Sequence, residues 1–156
     1  KINIKDNINT DKKLIAENKL VLVFTKETRD STGIISSQKI MRGKNIKNYD
    51  KIKSYVKTME EALKKGDYKK IGEIFHDHWK TKRKLSNSIS NSKLDNIYLN
   101  LLKEKSFIGG KLIGAGGGGF FLMVTKNISS SIKYLKSKKI NFTTLKFVQS
   151  GASKII

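Results

Sequence analysis

The sequence predicts an α+β fold, an antiparallel sheet covered by helices. Three observations predict it. "KLVLVFT" (19–25) and "FFLMVT" (120–125) are short apolar runs, the pattern of buried strands. Between them, from 31 to 102, apolar residues recur at three- and four-residue spacing, so the helices form one block. "FIGGKLIGA" (107–115) then leads into "FFLMVT" through a few glycines, and strands joined by so short a turn pair antiparallel. The 156 residues suffice for one domain with a core, not comfortably for two.

Each element has its own local reason. "KINIKDNI" (1–8) alternates apolar and polar residues, as a half-exposed strand does, and 19–25 is the first buried strand. "TRDSTGIISSQKIM" (28–41) reads as a helix capped by Asp30 or Ser31, with Ile34, Ile35 and Ile40 inward. Ile52, Tyr55, Val56, Met59, Ala62 and Leu63 keep helical spacing until Gly66, a natural stop. Asp67 caps the next helix, whose inward positions run Ile71, Phe75, His78, Lys82, Leu85 and Ile89, with Trp79 packing on Phe75. A shorter helix uses Leu94, Ile97, Tyr98, Leu101 and Leu102. After 106 the period changes to that of strands around the glycines. "SSSIKYLKSKK" (129–139) comes next as a helix capped by Ser129 or Ser130, and "NFTTLKFVQ" (141–149) as a last strand.

Composition narrows the function classes. Without cysteine there is no disulfide framework and no thiolate metal site. The longest apolar run, Phe120 to Val124, is far too short to span a bilayer, and no signal peptide is visible, so a cytoplasmic protein without a membrane partner is expected. The net charge of +20 invites a nucleic-acid partner. Yet only Arg29, Arg42 and Arg83 are arginines, and the lysines are spread over almost every segment. Readers of nucleic acid favour Arg, whose fork pairs with phosphate and guanine edges, so a solvated lysine surface is the better reading and no specific nucleic-acid partner is expected. A basic nucleic-acid-binding module remains the alternative. His76, Asp77 and His78 resemble a metal cluster only superficially, because histidines at i and i+2 on a helix point apart; no metal site is assigned.

The stretch "GGKLIGAGGGGFFLMV" (109–124) puts seven of the chain's twelve glycines within eleven residues, beside its most hydrophobic segment. A flexible linker would have polar flanks; here buried strands fix both ends, so the glycines serve positive φ or a close approach. Successive glycine N–H groups can also cradle an anion, while a structural turn with nothing bound is the plainer alternative. A Walker loop needs Lys-Ser or Lys-Thr after the last glycine, and a dinucleotide loop needs a helix there; Phe120-Phe121 and a strand occupy that place instead.

The stretch does resemble the third conserved motif of the GHMP kinases, Gly-x-Lys-x-x-Gly-Ala-Gly-Gly-Gly-Gly, present in full from Gly109 to Gly119. "LVLVFTKETRDSTGIISSQ" (20–38) looks like the family's entry strand and the helix after it. "FHDHWKTKRKLSNSISNSKLD" (75–95) is similar to the His-x-x-Trp-x-x-Lys-Arg-x-Leu-Ser segment of its D-glycero-D-manno-heptose 7-phosphate kinases. The resemblance implies a ferredoxin-like sheet under helices, the C-terminal domain of a kinase that moves a phosphoryl group from ATP to a sugar hydroxyl, with a heptose phosphate at its anomeric position as the acceptor. The family's ATP loop, Pro-x-x-x-Gly-Leu-Gly-Ser-Ser, lies in an N-terminal domain and is absent from 1–156, which has no proline. The resemblance therefore implies half an enzyme, inactive alone. ATP and Mg2+ would be bound mainly by the other half, and that half, the sugar phosphate and a second copy in a homodimer are the partners to consider.

Phosphoryl transfer asks a protein for positioning and positive charge. Gly114, Ala115, Gly116, Gly117 and Gly118 are the candidates to bring main-chain N–H groups to substrate or phosphate. A side chain at Gly116 is expected to strike turnover while sparing the fold. Arg29, just after the first buried strand, is a candidate phosphate clamp, or else pairs with Asp30 or Glu27. Thr25 and Thr28 either bond sugar hydroxyls or cap a helix. A buried unpaired charge on the helix stripe would be costly, so either Lys82 and Arg83 line a pocket or the helix is shorter or more rotated than its stripe implies. Lys111 reads as a solvent-facing strand residue with a phosphate contact as the alternative. No residue is assigned a catalytic role.

Overall fold

A computed structural model describes residues 18–28 and 31–146. Four strands, β1 (Leu20–Phe24), β2 (Phe107–Leu112), β3 (Phe120–Thr125) and β4 (Phe142–Thr144), form one antiparallel sheet in the order β2-β3-β1-β4. The helices are α1 (Ser31–Ile40), α2 (Ile46–Lys65), α3 (Tyr68–Lys82), α4 (Ser92–Lys103) and α5 (Ile128–Ser137). The expected α+β architecture is the one found. The strand expected at 1–8 lies outside the described residues, as do Asp30 and positions 147–149; β4 keeps three residues.

Helix ends obey local chemistry. α2 stops at Gly66, whose φ of 68° lets the Asp67 N–H return to the Ala62 carbonyl at 2.9 Å. Asp67 then caps α3, its carboxylate accepting from the Lys70 N–H at 2.9 Å. α5 corrects the expectation of a serine cap. Asn127, two residues after the end of β3, accepts from the Ser130 N–H at 2.9 Å and starts the helix, while Ser131 turns inward to donate to Ser106. α1 is also corrected: only Ile34 is buried, and Ile40 is 83% exposed. Neighbouring residues on a helix diverge by about 100°, so Ile34 and Ile35 cannot share one contact. Val56 of α2 is likewise exposed.

α3 ends at Lys82, and the chain continues through two 3-10 turns, Arg83–Leu85 and Asn87–Ile89. Leu85 and Ile89 reach the core from these turns rather than along one long helix. Trp79 of α3, Tyr98 of α4 and Phe121 of β3 form the aromatic heart of the core, with ring centroids 5.2–6.4 Å apart. Phe75 packs instead in the second cluster with Ile71, Ile74 and Val124. α3 lies close against β2. A Cβ on Gly72 would stand 2.6 Å from Ile108 Cγ2, and one on Gly109 would run into the Gly72 carbonyl.

Candidate functional site

The glycine turn between β2 and β3 is not loose. The Gly117 N–H donates to the Ile89 carbonyl at 2.9 Å, and the Gly119 N–H to the Glu27 carbonyl at 3.1 Å. Gly116, at φ 133°, presses on Ile89: a Cβ there would meet the Ile89 Cα at 2.9 Å and its carbonyl oxygen at 3.0 Å. Gly118 faces the Glu27 carbonyl in the same way. The close neighbours of these two glycines are thus the domain's own backbone, and a side chain at Gly116 strains the fold itself, contrary to the expectation that the fold is spared. Two glycine N–H groups that an anion cradle would use are already engaged.

Carbonyls of the turn are held as well. Lys82 Nζ donates to the Gly114 carbonyl, Gln38 Nε2 to that of Ala115 at 3.1 Å, and both the N–H and the hydroxyl of Thr25 to that of Gly119 at 2.9 Å. Thr25 is buried and its Oγ1 also accepts from the Glu27 N–H at 3.2 Å, so it serves the turn rather than a sugar. Between them Lys26 stands at φ 59°, a left-handed conformation that costs a side chain energy.

Beside the turn lies a cleft of about 440 Å³, lined by Thr28, Ile34, Ser88, Ser90, Asn91 and Gly117 among others. Hydroxyls dominate its edge. Ser37, Ser86 and Ser88 bond one another at 2.6–2.9 Å and tie α1 to the second 3-10 turn. Ser90 donates to Asp95 at 2.6 Å, and Asp95 pairs with Arg83 at 3.1 Å. Arg83 therefore meets a carboxylate on the cleft's flank, and Lys82 meets the turn. Arg29 lies outside the described residues.

Lys111 departs from its expected solvent-facing place. It is half-buried under α3 with its ammonium 5.2 Å from the Phe75 ring centroid, and burial lowers its pKa. His78 lies in the same region: burial first, then the Lys111 and Lys82 ammoniums, push it down to about 4. His76 turns the other way, to the Tyr98 hydroxyl at 2.9 Å. That hydroxyl has one proton and donates it to the Gly110 carbonyl at 3.0 Å, so His76 carries its proton on Nδ1. The two histidines diverge, and among the described residues no three His, Asp or Glu side chains gather as a metal site.

Residues 59–133 match the family described as GHMP kinases C terminal. That segment, just under half of the chain, is similar to the C-terminal domain of GHMP kinases. It is 31% identical to a D-glycero-alpha-D-manno-heptose 7-phosphate kinase of Campylobacter jejuni over 86% of this chain and 41% of that one. It is 27% identical to an L-fucokinase/L-fucose-1-P guanylyltransferase of Bacteroides fragilis over 74% of this chain and 12% of that one. Among solved structures, the mevalonate kinase of Methanococcus jannaschii superposes with a TM-score of 0.66 at 23% identity, over 92% of this chain and 44% of that one, and shares the fold. The chain thus spans less than half the length of each of these proteins.

Within the domain, the turn's tethers at Glu27, Gln38 and Ile89 have no sequence signal of their own. Gln38 reaches the turn across 77 residues, and all three are unremarkable residue types. Asn91 does carry a local signal: a short acceptor shortly before a periodic run, which caps α4 through the Leu94 N–H at 2.9 Å.

Proposed function

We propose that this chain is the C-terminal half of an ATP-dependent kinase that phosphorylates a sugar hydroxyl, with D-glycero-D-manno-heptose 7-phosphate at its anomeric position as the favoured acceptor. The observation that carries this reading is the full glycine motif, held rigid at the mouth of a hydroxyl-lined cleft, in a chain similar to a heptose 7-phosphate kinase along most of its length. Hydroxyl and amide side chains suit a polyol, since each can both donate and accept.

Transfer of a phosphoryl group depends on positioning and charge more than on covalent help. In this reading the turn supplies a fixed wall and Thr28, Ser88 and Ser90 stand where sugar hydroxyls can be held. An N-terminal half is the partner that holds ATP. In the same reading Mg2+, which accompanies the nucleotide phosphates, is held mainly by that other half.

The test uses the complete protein with ATP and Mg2+, offered the heptose 7-phosphate, L-fucose and galactose in turn. Phosphorus NMR should show a new anomeric phosphoester on the heptose 7-phosphate at the highest kcat/KM, and residues 1–156 alone should show no transfer. Transfer to no sugar at all would end the reading; preference for an unphosphorylated sugar would change the acceptor.

A further inference from the structure

Two successive carbonyls of the glycine turn are grasped by side chains from two different helices. Lys82, the last residue of α3, donates to the Gly114 carbonyl, and Gln38 of α1 donates to the Ala115 carbonyl at 3.1 Å. In a trans peptide the next N–H points opposite to the carbonyl. The N–H groups of Ala115 and Gly116 are therefore turned away from Lys82 and Gln38, and among the described residues they donate to none.

The backbone around them does not hold that direction unaided. Gly114 has φ 82° and Gly116 φ 133°, while Ala115 between them is not at positive φ. Alternating signs of this kind aim neighbouring N–H groups to one side, as in backbone anion cradles. A peptide plane with glycine on one side meets no Cβ barrier and flips easily. The pair of donors outside the turn selects one orientation.

We propose that Gln38 is a positioning residue which, with Lys82, fixes the Gly114–Ala115–Gly116 peptide planes and so aims the Ala115 and Gly116 N–H groups at the phosphorylated substrate. This rests on the kinase reading above. Gln38 touches no reacting atom. Its amide is half-buried on α1, the helix whose first turn lines the cleft, so the same element that walls the cleft also sets the turn. Only the amide nitrogen can donate to a carbonyl, so the side chain's orientation is settled by its partner.

The experiment compares Gln38→Met with Gln38→Lys in the complete protein. Methionine keeps the length and loses the donor; lysine keeps a donor. Gln38→Met should lower kcat/KM for the sugar phosphate about tenfold, the loss expected for one orienting hydrogen bond, with ATP's KM and the melting temperature nearly unchanged. Gln38→Lys should restore most of it. A crystal structure of Gln38→Met should show the Ala115–Gly116 peptide rotated, whether or not any sugar is turned over. A rotated peptide with an inactive wild type supports the positioning and defeats the kinase reading. An unrotated peptide, or activity lost only in step with stability, overturns the positioning while leaving an active wild type's kinase reading intact.

Discussion

Lys139 is the clearest single residue working against the fold. It comes after α5 at φ 52°, in the position where helices end in glycine, and the Ile140 N–H returns to Leu135 at 2.9 Å across it. Lys139→Gly removes the clash of Cβ with backbone and should stabilise the protein by about 0.5–1 kcal/mol, read as a rise of about 2–3 °C in Tm. Gly116 is the converse. Gly116→Ala forces a Cβ onto Ile89 at an unfavourable φ and should cost about 2–4 kcal/mol in urea unfolding. Gly43→Ala, where a Cβ meets nothing within 4 Å, serves as the control and should be near neutral. Equal losses at both glycines would show that the turn's shape is not what is being measured.

Among the elements, α3 carries the most consequences. One side sends Trp79 and His76 toward Tyr98; the other sends Phe75 and His78 toward Lys111 and Tyr55. Folded, His78 stays neutral down to about pH 4, whereas unfolded it takes a proton near 6.5. The unfolded chain binds more protons between those values, so stability falls as pH drops from 6.5 toward 4. His76 is shifted in the same direction, mainly by burial. Urea midpoints from about pH 7 to about pH 4.5 should decline, and His78→Phe should flatten the decline; an unchanged slope in that variant would move the cause to other groups. The helices themselves were legible because their apolar period and their stops at Gly66 and Asp67 are local. Lys111 was not. A register shift in β2 between Phe107 and Gly109 interrupts the alternation that assigns faces to strand residues, and α3 covers the rest of that strand. Leu85 and Ile89 kept the spacing of a longer α3 although 3-10 turns present them, since a period of three and one of 3.6 agree over a few residues.

At the scale of the whole molecule, a net charge of +20 sits on a surface whose cations are almost all lysine. The strand aromatics bear on any nucleic-acid role: Phe121 is in the core, and the pair that does form on one face is Phe24 with Phe120, centroids 5.1 Å apart. Binding to duplex DNA should be weak and sequence-blind, and should fall steeply between about 50 and 200 mM salt as counterions compete, roughly in proportion to the phosphates contacted. Sequence-selective binding at physiological salt would make that partner specific. The α+β class was legible because grouped helices and glycine-joined strands leave few ways to bury both. The hydroxyl-lined cleft was not, since Ser37 and Ser88 meet only once the fold exists.

The anchoring of Gly117 and Gly119 to Ile89 and Glu27 also fixes an order of events. Those partners lie on segments remote in sequence from the turn, Glu27 beyond the whole helical block, so neither bond can form until the sheet has closed on the helices. The turn therefore takes its shape only together with the tertiary fold and is an index of its completion. Its two anchored amides should exchange with deuterium only through global opening, at rates matching the slowest core amides of β3. Faster exchange at Gly117 and Gly119 would reveal a turn that opens by itself. Otherwise an immature or damaged copy has no site to offer, and competence at the cleft certifies the integrity of the entire domain.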